Sequence, residues 1–305
     1  MGTKKSQAVI LTILLFVLFV LIAACSANTA EHETALTDLQ VQVSESPEPK
    51  ELNPSDLLAV HFIDVGEGDS ILIVQGEYAM LVDGGSAEMG TTVFSYLRGQ
   101  GITALEYVVA THSFADHIGG LPDVLRRISV KNVLLPMVYH DTSAYNTFLT
   151  AVEGSGAEVA VPYAGHSFTL GDAVIGVLSP SPDDEWENKA NYSIVLRVEF
   201  GSTSFLLMGD AMREVEAGLL DSTARLSSDV LKVARHGAMS ATTNGFLDAV
   251  SPSIAVISAG ENNSFLSQEV LRRLNSADVH VFRTDENGGI VITSDGTMLG
   301  VAVDR

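Results

Sequence analysis

The chain of 305 residues carries a formal charge of −21, 46% hydrophobic residues and one cysteine. Its length admits one or two domains and its apolar content a sizeable core. The acidity argues against a protein that tracks long nucleic acid along a basic stripe, though not against one that takes a small phosphoester or a nucleotide end.

Lys4 and Lys5 precede Ala8 to Ala24, an uncharged aliphatic run that ends Leu21-Ile22-Ala23-Ala24-Cys25. A basic start, an apolar stretch and small residues before the next segment form an export signal. The cysteine makes it resemble the lipobox of bacterial lipoproteins. Residues 1–24 are therefore expected to be a signal peptide. Cys25 is the expected lipidated first residue of the mature protein, held to the outer face of the cytoplasmic membrane. An uncleaved anchor, with Cys25 a bystander, also places the rest outside, because the lysines stay in the cytoplasm. Without them the remainder has 15 basic and 38 acidic groups, a net −23. Residues 25–56 are acidic and rich in Ser, Glu and Pro, too polar to fold alone. They predict a disordered tether spanning on the order of 30 Å.

From Leu57 the pattern changes. Leu58 to Val65, Ser70 to Val74 and Ala79 to Val82 predict strands, with turns at Gly66-Glu67-Gly68-Asp69 and Gly76-Glu77. Helical spacing over Thr91 to Gln100 and Leu121 to Ile128 alternates with strands Tyr107 to Ala110 and Val133 to Leu135. A second set of hairpin strands covers Ile175 to Leu178, Ile194 to Phe200 and Ser204 to Met208. Helix and strand then alternate to the end, closing on Gly288-Gly289 between two strands. Two halves, each with hairpins followed by βα units, predict an α/β sandwich of two sheets with outer helices.

The sharpest segment for chemistry is Thr111-His112-Ser113-Phe114-Ala115-Asp116-His117, just after an apolar strand. Loops at strand C-terminal ends carry the chemistry of α/β sheets. Imidazole with carboxylate suits Zn²⁺, Mn²⁺ or Fe²⁺. Four further segments accompany it: 60–70 (VHFIDVGEGDS), 81–85 (LVDGG), 208–210 (MGD) and 231–238 (LKVARHGA). Their order and spacing, from Leu58 to near Gly300, resemble the metallo-β-lactamase superfamily, whose loop reads His-x-His-x-Asp-His. Within it they resemble the extracytoplasmic domain of the competence protein ComEC. The resemblance implies a four-layer αββα sandwich over residues 57–305.

It also implies roles. His112 matches a ligand of a first metal site, and Asp116 and His117 match ligands of a second. Asp210 matches the carboxylate that bridges both, and His236 a terminal ligand. Asp83 matches the acidic turn that orients a ligand histidine, with Asp64 and Asp69 as further outer groups and Ser193 beside the site. The pattern is broken where Phe114 replaces the middle histidine, Arg235 the first of a histidine pair and Ala238 a serine. Glu67 stands for a glutamine, and the segment 263–269 replaces a late Gly-His-Pro. A phenyl ring donates no electron pair, so the first site keeps only His112 and Asp210. Asp116, His117, Asp210 and His236 remain as a set for a single divalent ion, zinc or manganese. For Arg235 two placements stay open: a surface position, or the vacated first site beside Asp210, where a guanidinium would replace lost metal charge and grip a phosphate or carboxylate.

Two expectations follow. The first is a tethered extracytoplasmic metallohydrolase of phosphodiesters in nucleic acid or nucleotides, with Asp116 and His112 catalytic. The second is an inactive binding or scaffold lipoprotein whose site holds no metal and whose protein partner is unspecified. β-Lactam hydrolysis rests on the superfamily name alone, and fold does not imply function. His61, His140, His166 and His280 stand outside any motif and are expected to be ordinary polar groups.

Overall fold

In the computed structural model the described residues are 54–261 and 264–305. The signal segment, Cys25, nearly all of the acidic tether and Asn263 lie outside them. The end of the expected tether is ordered: Pro54–Asp56 forms a 3₁₀ turn, and the Ser55 carbonyl accepts from Gln75 Nε2 at 3.4 Å.

Fifteen strands form two sheets. The first is built from β1 (Leu58–Phe62), β2 (Ile71–Gln75), β3 (Tyr78–Val82), β4 (Ala104–Val109), β5 (Ser129–Leu134), β6 (Glu158–Ala160), β14 (Ile290–Ser294) and β15 (Leu299–Val303), in the order β15-β14-β1-β2-β3-β4-β5-β6. The second is built from β7 (Ser167–Leu170), β8 (Ala173–Ser179), β9 (Val195–Phe200), β10 (Thr203–Leu207), β11 (Val230–Lys232), β12 (Ile254–Ile257) and β13 (His280–Arg283), in the order β13-β12-β11-β10-β9-β8-β7. Each sheet is half antiparallel and half parallel: β3 to β6 in one and β10 to β13 in the other run parallel.

Alternation along the strands explains the layers. Leu58, Val60 and Phe62 of β1, Ile71 and Ile73 of β2, and Phe205 and Leu207 of β10 meet in a core between the sheets. Leu72 and Leu81 face outward, where α1 (Gly90–Gly99), α2 (Ala115–Ile118), α3 (Leu121–Leu125) and α4 (Ser143–Ser155) supply a second core. Leu206, Leu231 and Ala255 face outward from the other sheet under α5 (Arg213–Asp221), α6 (Asn244–Val250) and α7 (Gln268–Ser276). Two mixed sheets between helices make the four-layer αββα sandwich. Two local expectations differ: α3 stops three residues short of Ile128, and a turn of helix, α8 (Thr284–Asn287), precedes Gly288-Gly289.

The parallel halves decide where chemistry can sit. The ends of β3, β4, β10 and β11 lead directly into Asp83, Thr111-His112, Asp210 and Arg235-His236. Gly68 (φ 116°) lets the 64–70 turn close on α2: a Cβ there would lie 2.1 Å from the Asp116 carbonyl oxygen.

His61 is placed by the same alternation. It leaves β1 on the outer face, buried, with Nδ1 2.9 Å from Tyr96 Oη on α1. Burial lowers its pKa from 6.5 to about 4. The unfolded chain therefore binds the extra proton between these values, and stability is present above pH 6.5 and lost as pH falls toward 4. The term is about 3 kcal/mol for a shift of this size. Urea denaturation at pH 4.5 and 7.0 should show a smaller pH difference in His61→Gln than in wild type; an equal difference would contradict this account.

Candidate metal centre

Asp83 ends β3 with a left-handed backbone (φ 57°) and a fully buried carboxylate. It accepts from Thr111 N (2.8 Å), Thr111 Oγ1 (2.6 Å) and His117 Nδ1 (2.8 Å). These contacts fix tautomers. His117 Nδ1 carries the proton that Asp83 receives, so in the neutral ring, the form that binds a metal, the lone pair is on Nε2. The one Thr111 hydroxyl proton goes to Asp83, so His112 Nδ1, 3.1 Å from Thr111 Oγ1, must be the donor there, and His112 Nε2 also has a lone pair. His236 Nδ1 lies 3.2 Å from the Ser258 carbonyl, which can only accept.

Three Nε2 atoms therefore converge on Asp210. The distances are 3.7 Å from His112 to Oδ2, and 3.4 and 3.6 Å from His117 and His236 to Oδ1. Asp116 Oδ2 lies 3.8 Å from His236 Nε2, on a side chain 35% exposed, and forms the open side. These separations are long for hydrogen bonds. Two donors each about 2.0–2.1 Å from one ion at the tetrahedral angle lie about 3.4 Å apart. His112 Nε2, His117 Nε2 and Asp210 Oδ1 are buried with no hydrogen-bond partner among the described residues. Three groups of side chains could hold a divalent ion: His112, His117 and Asp210; Asp116, His117 and His236; and Asp69, Asp83 and His117. The donor set fits a metal.

Charge points the same way. Asp69, Asp83, Asp116 and Asp210 meet here, and the fixed cation among them is Lys232, which is fully buried with Nζ 2.8 Å from Asp69 Oδ2. Burial opposes ionisation of Asp210, yet the imidazoles of His117, His112 and His236 hold its carboxyl well below the usual range. Burial opposes a charge on His117 too, but Asp83 and Asp210 raise its pKa well above 6.5. Burial, with His117 beside it, lowers His112 to about 4. The carboxylates thus draw positive charge into a place that penalises it.

Compared with known families, residues 63–261 match the metallo-β-lactamase superfamily. The chain belongs to that superfamily. It is 31% identical over 251 residues to ComE operon protein 3 of Bacillus subtilis, covering 76% of this chain and 32% of that protein. It is 28% identical over 243 residues to competence protein ComA of Neisseria gonorrhoeae, covering 78% and 32%. It therefore spans about a third of the length of the curated relatives it matches. The metallo-β-lactamase fold protein YhfI of Bacillus subtilis superposes with a TM-score of 0.54 at 16% identity, over 78% of this chain and all of that one. That likeness shows the shared superfamily fold.

The altered positions can now be placed. Phe114 caps α2 and stands edge-on to His112, ring centroids 4.8 Å apart, with His140 5.6 Å away on its other contact. Apolar bulk thus occupies the neighbourhood of His112, while Asp116, His117, Asp210 and His236 remain together. Arg235 does not pair with Asp210; of the two placements the sequence leaves open, it does not take the vacated first site. Arg235 (φ 47°, ψ 50°) and His236 (φ 54°, ψ 27°) are consecutive left-handed residues that send their side chains apart. His236 turns inward, and the guanidinium lies against Met212 Sδ and 5.6 Å from the Phe265 ring centroid. Asp64 is also outside the cluster. Its neighbours Ile63 and Val65 are anchored in the outer core, and Asp64 accepts from Gly66 N and Arg305. Ser193 touches the site indirectly, its Oγ accepting from Asp210 N at 3.1 Å. His166 stacks on Tyr163, and His280 is exposed on β13.

Sequence reasoning gave Lys232 no role. Its signal was a lone charge in an apolar strand, Val230-Leu231-Lys232-Val233. Burial would raise the Asp69 pKa, but Lys232, His117 and His236 hold it below its ordinary value. Removing one partner of such a pair strands the other charge at about 3–5 kcal/mol. Lys232→Met should therefore lower unfolding free energy by that order in denaturant titration. Lys232→Met with Asp69→Leu should recover most of the loss; no recovery would show that the pair is not the source of the effect.

Proposed function

We propose that this chain is a membrane-tethered, extracytoplasmic hydrolase of phosphodiesters that works with a single divalent ion. The observation that carries the reading is the convergence of His117 Nε2, His236 Nε2, Asp116 and Asp210 in a cluster of four carboxylates and one lysine. Asp116, His117, Asp210 and His236 would hold the ion. The competence names of the relatives support nucleic acid or nucleotides as the substrate class, and the export signal with Cys25 supports the lipid anchor. The short apolar lengths of the described helices include none able to cross a membrane.

A bound zinc or manganese ion would polarise a phosphoryl oxygen and lower the pKa of water. The chain supplies the rest. Asp83 and Ser258 orient His117 and His236, and the Ser193 hydroxyl holds the Asp210 backbone. His112, outside the set of four, presents a lone pair 3.7 Å from Asp210 Oδ2. It would accept the proton of the attacking water at Nε2, and Asp210 would stabilise the imidazolium. Asp116, on the open side, would meet the water and substrate first. Phe114 excludes water next to His112.

The second reading is a binding or scaffold lipoprotein, favoured by Phe114 and Arg235 in places where the superfamily pattern has histidine. Metal content separates the two. Full-length chain in detergent, loaded with Mn²⁺ or Zn²⁺ and desalted, should retain about one ion per chain by mass spectrometry, as expected of a four-donor site. Asp116→Ala and Asp210→Ala should retain close to none. Wild type retaining no more than the variants would overturn the hydrolase reading and leave the scaffold.

A further inference from the structure

We infer that a basic cleft lined by Arg213 and Arg273, with Arg213 three residues on from Asp210 and Met239 three on from His236, is a second anion subsite. It would hold the neighbouring phosphate of a phosphodiester chain whose first phosphate lies at the metal centre. The inference rests on the hydrolase reading and adds to it how much of a ligand the protein grips.

The starting point is a contrast of charge. The chain is strongly acidic, yet arginines gather along the loop that carries His236. Arg235 precedes His236 and lies against Met212 and Phe265. The loop continues through residues 238–243 and is gripped from two sides. Arg213, the exposed first residue of α5, donates from Nε to the Ser240 carbonyl (3.4 Å) and from Nη2 to the Met239 carbonyl (3.3 Å). Arg273 of α7 donates from Nη1 to the carbonyls of Ala241 (3.4 Å) and Thr242 (3.1 Å). Four successive carbonyls therefore orient two guanidinium groups. Beneath them the buried Glu216 carboxylate accepts from Thr242 N and Thr243 N, which ties the loop to α5.

Between the two arginines lies a cleft of about 380 Å³ lined by Arg213, Met239, Thr243, Asn244 and Arg273. Carbonyl contacts orient a guanidinium without neutralising it. Among the described residues neither Arg213 nor Arg235 is within 4.0 Å of a carboxylate oxygen, whereas Arg273 pairs with Glu269 (Nε to Oε1, 3.5 Å) and acts on the buried Glu216 carboxylate, so the uncompensated charge lining the cleft is that of Arg213. Arg213 Nη1 and Arg273 Nη2 are left with no hydrogen-bond partner among the described residues. Oriented forks with unused donors recognise phosphate. An adjoining cleft shares Asn244 and Arg273, but Asp248 and Glu269 line it too. The basic stretch therefore ends at α7, room for a short phosphodiester end rather than a long polymer. This agrees with the repulsive charge of the rest of the surface.

The test is calorimetry on full-length, Mn²⁺-loaded chain in detergent with two probes. One is thymidine 5′-monophosphate; the other is the 5′-phosphorylated thymidine dinucleotide with a phosphorothioate linkage, which slows cleavage. The dinucleotide should bind about tenfold more tightly than the monophosphate. Arg213→Gln should remove most of that advantage and leave the monophosphate Kd within about twofold. Arg225→Gln, which removes the same charge from an exposed pair with Glu199, should change neither. Equal binding of the two probes, or an Arg213→Gln effect that is absent or the same for both, would overturn the subsite while leaving the metal reading standing. Failure to bind either probe would overturn both.

Discussion

The Asp83 carboxylate has two oxygens and three donors. Thr111 supplies two of them and His117 the third, and all lie in the buried layer between the ends of β3 and β4. Because a carboxylate only accepts, it fixes which atom of each partner carries hydrogen. The consequence reaches His112, which Asp83 does not touch: the Thr111 hydroxyl is committed as a donor and must accept from His112. One carboxylate thus sets which nitrogen of each imidazole faces Asp210, and in the neutral rings that nitrogen is the metal donor. Backbone bonds make the arrangement rigid: Gly84 N donates to His117 O, Gly85 N to Asp69 O and Gly120 N to Gly85 O. A Cβ on Gly120 would lie 2.0 Å from the Gly84 carbonyl oxygen, so glycine is needed for that approach.

Such a network requires the C-terminal ends of parallel strands from both sheets to meet. Each sheet opens with hairpins, which are short-range and bury the inter-sheet core, and continues with parallel strands whose ends carry the loops. The first sheet contributes Asp83, His112, Asp116 and His117, and the second Asp210 and His236. Of the three candidate ligand groups, Asp69, Asp83 and His117 come from the first sheet alone, while the two that contain Asp210 or His236 need both sheets. The join is stiffened by Lys232 and Asp69, one from each sheet side, paired without solvent. The left-handed run at Arg235 and His236, at about 1–2 kcal/mol per residue, is conformational strain that the surrounding contacts must offset.

The layers and the division into two halves of hairpins and βα units were legible in the sequence because period-two alternation and loop glycines report directly on burial and turns. So was the gathering of Asp83, Asp116, His117, Asp210 and His236, since each follows an apolar strand in a known loop pattern. What sequence could not give was direction. Arg235 and His236 are adjacent, and only their φ and ψ values decide that one points in and the other out. Asp64 has the company of Asp69 in the same turn, but the anchoring of Ile63 and Val65 turns it toward Arg305. Lys232 was invisible as a partner because its acid lies 163 residues earlier in the chain.

The direction taken by Arg235 decides where the cluster lacks positive charge. A guanidinium on Asp210 would have filled the place of a cation and closed the centre. Instead, Asp210 keeps three imidazole nitrogens and, among the described residues, no fixed positive partner, while Lys232 is already committed to Asp69. The deficit of positive charge is therefore local to Asp116, His117, Asp210 and His236, on the side away from Phe114. Phe114 supplies neither a donor nor a charge beside His112, whose ring it meets edge-on. Phe114 and Arg235, the two positions where the resemblance leads one to expect histidine, act in different places. One reshapes the interior beside His112; the other puts an arginine on the outside, at the head of the loop that Arg213 and Arg273 hold.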